Sequence, residues 1–218
     1  EHSVRKRGES QVWGFLATCV DDAFLPDGSK LLEPLTGLLG QLICQPVLEG
    51  GTLSPAYVAS ERTNLIDAIR SAINEKRTFA ARRLLEEMCR GEAYGLSHIG
   101  DEASVAAITP EALTAHYRTA IAQSRLELYY CGRAERERVE SAFQTAFRGL
   151  PRAEDPILTP PQAHPPRQSP QVIREQMDVS QGKLSVGYSV DTDDKDAVVV
   201  MNTMFGATSN SKLFLNVR

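Results

Sequence analysis

Seven of the chain's twelve prolines fall between positions 151 and 170: Pro151, Pro156, Pro160, Pro161, Pro165, Pro166 and Pro170. A proline lacks the backbone N–H and has a fixed φ. A run of them can neither sit inside a sheet nor continue a helix. The stretch 151–170 therefore predicts an extended linker between residues 1–150 and residues 171–218. The second part is too short to bury a core of its own. It must pack on the first part, on a second copy, or on sequence beyond these 218 residues.

On either side of the linker the hydrophobic pattern alternates between helix and strand periods. Residues 9–20 are rich in β-formers (Val12, Phe15, Val20) and bounded by turn residues, which predicts a strand. Leu31, Leu35, Leu38, Leu39 and Leu42 make one apolar stripe and predict a helix over 31–42. Ser54-Pro55 marks the start of a long helix, with serine as cap and proline in the first turn. Leu65, Ile69 and Ile73 form its inner face. Further helices are expected over 79–88, from Thr109-Pro110 to about 122, over 134–147 and over 195–205, with another beginning near the C-terminus. Residues 125–131, 172–179 and 182–190 read as strands. Helices separating strands, with some strands adjacent, predict an α+β fold of layered helices on a mixed or antiparallel sheet.

Composition removes several functional classes. Net charge is −4, and no Lys/Arg cluster is interleaved with aromatics, so nucleic acid is not an expected partner. The short basic run Arg5-Lys6-Arg7 reads as a solvated strand end. No apolar stretch reaches the 18 or so residues of a membrane helix, and the first residues lack the apolar core of a signal peptide. Cys19, Cys44, Cys89 and Cys131 form no Cys-x-x-Cys pair and sit among apolar neighbours. They are expected to be reduced thiols of a cytoplasmic protein.

Catalytic signatures are equally scarce. His2, His98, His116 and His164 are isolated from one another and from the cysteines, whereas zinc needs at least three converging N, S or O donors. Neither a Gly-x-Ser-x-Gly elbow nor a phosphate-binding glycine loop occurs. The acidic pairs Glu86-Glu87, Asp101-Glu102 and Asp193-Asp194 are sequence neighbours that diverge in space and read as solvated faces. The small-residue loop 205–211 could offer backbone amides to an anion or a peptide carbonyl, or simply join two helices.

Three stretches, in this order, resemble the insulinase/pitrilysin family of zinc peptidases. The first is Tyr57-Val-Ala-Ser-Glu-Arg-Thr-Asn-Leu-Ile-Asp-Ala-Ile, similar to the family's long helix with Glu-Arg/Lys and a glutamate seven residues on. The second is Glu86-Glu-Met-Cys-Arg-Gly-Glu-Ala-Tyr-Gly, followed by Ile108-Thr-Pro-Glu-Ala-Leu-Thr-Ala-His-Tyr and a strand ending at Cys131-Gly132. The third is Met204-Phe-Gly-Ala-Thr-Ser-Asn-Ser-Lys-Leu-Phe-Leu-Asn-Val-Arg, similar to the opening of the family's second half-domain.

The resemblance implies two similar half-domains closing around an extended peptide. Residues 1–150 would be the later part of the first half and 171–218 the opening of the second. The family's cofactor is zinc, and the His-x-x-Glu-His segment of active members would precede residue 1. Seven residues after Glu61, where active members place the last zinc ligand, stands Ala68. Its methyl group donates no electron pair, and Asp67 lies about 100° away around the helix. This chain is thus expected to hold no metal and no catalytic residue. It fits the non-catalytic branch, a subunit that binds extended peptide and a homologous active partner and can also form a homodimer. Arg218, Gly206, Ser209 and Ser211 match positions that touch substrate. Two alternatives remain open at this point: part of an active zinc peptidase with ligands upstream, or an unrelated α+β interaction domain.

Overall fold

The computed structural model describes residues 1–153, 169–190 and 192–217. Most of the linker, with His164, lies outside them. The fold is α+β: eight α-helices and two antiparallel two-stranded sheets among the described residues. The chain divides into two units, Glu1–Gln162 with Lys183–Ser185, and Ala163–Gly182 with Val186–Arg218.

The first unit opens with a hairpin, β1 (His2–Arg7) against β2 (Ser10–Phe15). Arg7 pairs with Ser10, leaving a two-residue turn whose first residue, Gly8, has φ 60°, the conformation such turns require. At the open end Glu1 and Leu16 exchange hydrogen bonds of 2.9 Å in both directions. The basic run read as a strand end is the whole second half of β1, and Lys6 is half-buried. Its ammonium donates to the carbonyls of Ala93 (2.5 Å), Tyr94 (2.8 Å) and Leu96 (2.5 Å). Gln11 Nε2 donates to His98 O at 3.0 Å, so both strands are pinned to the 93–98 loop.

Helix α1 (Leu32–Cys44) crosses α6 (Arg136–Ala146) through small residues. Thr36 and Gly40 on α1 and Ala142 on α6 are buried. A Cβ on Gly40 would fall 3.3 Å from Ala146 Cβ, 3.1 Å from its carbonyl carbon and closer still to its oxygen. Only glycine permits that approach. Arg138 locks the same pair: its guanidinium grips Glu33 of α1 with two bonds of 2.6 and 2.7 Å and reaches Asp22 at 2.7 Å.

A second hairpin, β3 (Leu48–Glu49) and β4 (Thr52–Leu53), turns through Gly50-Gly51, both at positive φ. Beyond it run α2 (Pro55–Ser71), α3 (Lys76–Met88), the short α4 (Glu102–Ala106) and α5 (Pro110–Gln123). The proline-marked starts of α2 and α5 fall where the sequence predicts. Thr109 caps α5, its hydroxyl accepting from Ala112 N at 3.2 Å. Ser54, expected to cap α2, does not: its buried hydroxyl donates to the Glu49 carboxylate instead. Thr114 links hairpin and helix, donating to Pro110 O and accepting from Leu53 N at 2.8 Å.

The second unit contains α7 (Lys195–Asn202), a π-helical turn (Thr203–Ala207) and α8 (Lys212–Val217). Residues 125–131, 172–179 and 182–190, read as strands, enter no ladder among the described residues. A strand is defined by its bonds to a neighbouring strand, and these segments make none among the described residues. The four cysteines are free thiols, Cys19 and Cys131 exposed. No described helix is long and apolar enough to cross a membrane.

Candidate functional site

On α2, Glu61 and Ala68 stand two turns apart, within about 20° of each other around the axis. Both are exposed. Glu61 Oε1 accepts from Asn64 Nδ2 at 3.4 Å. Ala68 presents only its methyl, while its carbonyl accepts from Ser71 Oγ at 3.0 Å. This position does not fit a zinc ligand, since a methyl has no lone pair.

The surrounding side chains hold α2 against α4. Arg62 Nη2 donates to Ala106 O at 2.5 Å. Arg70 makes a two-pronged ion pair with Glu102, one bond at 3.1 Å, and that bond holds the Glu102 carboxyl below its ordinary range. Asp101 caps α4 through Ser104 N at 2.9 Å and Ser104 Oγ at 2.6 Å. Helix geometry thus displays the 61/68 face while its flanks are tied down.

In the second unit, Asp194 caps α7 by accepting from Ala197 N at 2.9 Å. The chain then widens into the π turn that contains Gly206, a distortion common where a helix serves a site. Gly206 and Ser209 are exposed. Ser211 is buried at 1 % exposure, and its Oγ accepts from Phe214 N at 3.4 Å, the bond of an N-cap on α8. Three of the residues singled out from the sequence therefore share one loop, two facing solvent and the third shaping the turn from inside. Arg218 lies outside the described residues.

Sequence reasoning missed the polar clamps. Hydrogen bonds from Arg138 hold Glu33 at a pKa of about 2, and the Leu31 amide followed by Arg138 lowers Asp22. Burial raises both Tyr117, whose hydroxyl donates to Ile43 O at 2.5 Å, and the neighbouring Cys44 thiol. Glu33 and Arg138 are 105 positions apart, so no local pattern could pair them.

The two hairpins and the helices define an α+β domain. The family comparison makes this specific. Residues 107–218 match the model described as "Peptidase M16 inactive domain". The chain is 36% identical over 219 residues to a Bacillus subtilis (strain 168) protein named "Probable inactive metalloprotease YmfF". That alignment covers 99% of this chain and 51% of the relative. A crystal structure of a conserved protein from Enterococcus faecalis V583 superposes with a TM-score of 0.79 at 26% identity, covering 91% of this chain and 47% of that one. The chain belongs to the insulinase-like peptidase M16 family, and it spans about half the length of the relatives it matches.

Proposed function

We propose that the chain is part of a non-catalytic insulinase-like subunit that binds extended peptide alongside a homologous active peptidase. The observation that carries this reading is Ala68. It lies on the exposed face of α2 two turns from Glu61, the position at which the resemblance to active members puts a zinc-binding glutamate. The Bacillus subtilis relative, named a probable inactive metalloprotease, supports it. In this reading Gly206 and Ser209 offer backbone and hydroxyl groups to the peptide. Ser211 holds their loop in shape, Arg218 adds a cation, and the protein acts in the cytoplasm.

The test is a fluorescent-peptide assay on the full polypeptide, alone and mixed with a homologous active subunit. Binding without cleavage alone, with faster cleavage in the mixture, is the expected result. Turnover by the polypeptide alone overturns the proposal.

A further inference from the structure

Helix α5 (Pro110–Gln123) ends without the glycine that commonly closes a helix: the next residue is Ser124, extended at φ −73° and ψ 144°. The last four carbonyls of a helix have no partner inside it. Here Ala120 O accepts from Ser124 N at 2.8 Å. The next acceptors are taken by residues 152 and 153, 28 to 31 positions on. Arg152 donates to Ile121 O at 2.9 Å through one guanidinium nitrogen and to Ser124 O at 2.5 Å through the other. Ala153 N donates to Ala122 O at 2.7 Å. A guanidinium suits the place, because its planar fork spans two acceptors and its charge faces the negative end of the helix dipole. Between the two sides of this contact runs α6, itself fastened to α1 by Arg138. The bonds are therefore made by the chain as it leaves α6, inside the proline-rich stretch. All are internal to residues 121–153, and residues 151–153 are exposed.

We propose that Arg152 and Ala153 form a clasp that caps α5 and fixes the point from which the chain departs for the second unit. With the clasp closed, that connection starts after Ala153 rather than at the first proline of the stretch, Pro151. With it open, residues 151–153 join the connection and lengthen its reach by about 10 Å, at about 3.3–3.6 Å per residue. The same event uncaps the end of α5, so the helix end and the length of the connection change together. Because the clasp is a set of surface hydrogen bonds, it opens without exposing a core, which makes it a local device separable from the stability of the whole unit. This inference does not depend on peptide binding, and either can fail alone.

The experiment is hydrogen exchange read by NMR on the 218-residue chain, with limited trypsin digestion beside it. The Arg152 side chain is exposed, so variants there keep the fold. The expected result is protected Ser124 and Ala153 amides in the natural sequence. In Arg152→Gln, which loses the charge and the fork, both exchange at least about tenfold faster while the amides of α1 and α2 are unchanged. Arg152→Lys keeps the charge and a trypsin site without the two-nitrogen fork. Its 152–153 bond is cut at least about threefold faster than in the natural sequence, each rate taken relative to its own unfolded chain. An Ala153 amide that exchanges like an unstructured peptide in the natural sequence overturns the proposal. So does protection at Ser124 and Ala153 that survives Arg152→Gln, an unchanged cleavage rate in Arg152→Lys, or a loss of protection spread evenly over the first unit, which would make Arg152 a general support instead of a clasp.

Discussion

Gly40→Ala and Gly37→Ala make the same chemical change one turn apart on α1, and the structure predicts opposite signs. Alanine is better than glycine in a helix by about 1 kcal/mol. At Gly37 no atom lies within 4 Å of the new methyl, so the propensity gain stands alone. At Gly40 the methyl meets the Ala146 backbone at 3.1 Å and closer. A main-chain carbonyl cannot rotate away as a flexible side chain can, so α1 and α6 must separate by several tenths of an ångström. Overpacking of that kind costs about 1–3 kcal/mol, and a gap approaching 1 Å forfeits up to about half of each contact around it. The net at Gly40 is a loss of up to about 2 kcal/mol, and at Gly37 a gain of up to about 1 kcal/mol. Thermal unfolding followed by circular dichroism should show Gly40→Ala lowered by up to about 4–8 °C and Gly37→Ala raised by up to about 2–4 °C. Equal stabilisation of both would refute the close crossing of these helices.

Lys6→Met removes the charge that three carbonyls share. We expect a loss of about 1.5–3 kcal/mol in urea denaturation, with the amides of β1 and β2 exchanging faster; an unchanged midpoint counts against the clamp. The Glu33 carboxyl has its folded pKa depressed to about 2 from 4.5. Its contribution is therefore complete above about pH 4.5 and is lost as pH falls toward 2. Because the side chain is 47% exposed, solvent discounts it to about 1 kcal/mol. In Glu33→Gln the fall in stability between pH 5 and 2 should be shallower by most of that amount. Ser211→Ala removes the cap on α8 and should cost about 1 kcal/mol, read as faster exchange at the Phe214 amide.

How much of this was legible in the sequence follows from the range of the interactions. The starts of α2 and α5 were readable because proline and a capping residue act within one turn. The small loop at Gly206 was readable because its composition is local. Helix α4 went unseen because five residues carry too little periodicity to register. Strand β1 was legible only as a strand end at Arg5-Lys6-Arg7, because those charges break the apolar alternation that would mark its full length. Ser54 was assigned the wrong partner because nothing local reveals that Glu49 comes back across a hairpin turn to take its hydroxyl. The Lys6 and Arg138 clamps join residues tens of positions apart, and only the folded chain brings them together. The three ladderless segments show the complementary case: Val, Leu and Tyr alternation announces strand character, but a ladder also needs an edge.

The account turns on whether position 68 can help hold a metal. Zinc per polypeptide, measured by inductively coupled plasma mass spectrometry after equilibration with zinc and desalting, tests that directly on the longest polypeptide containing these residues. The account predicts well under one equivalent, with no peptide hydrolysis. One tightly held equivalent together with hydrolysis by the same preparation would contradict it.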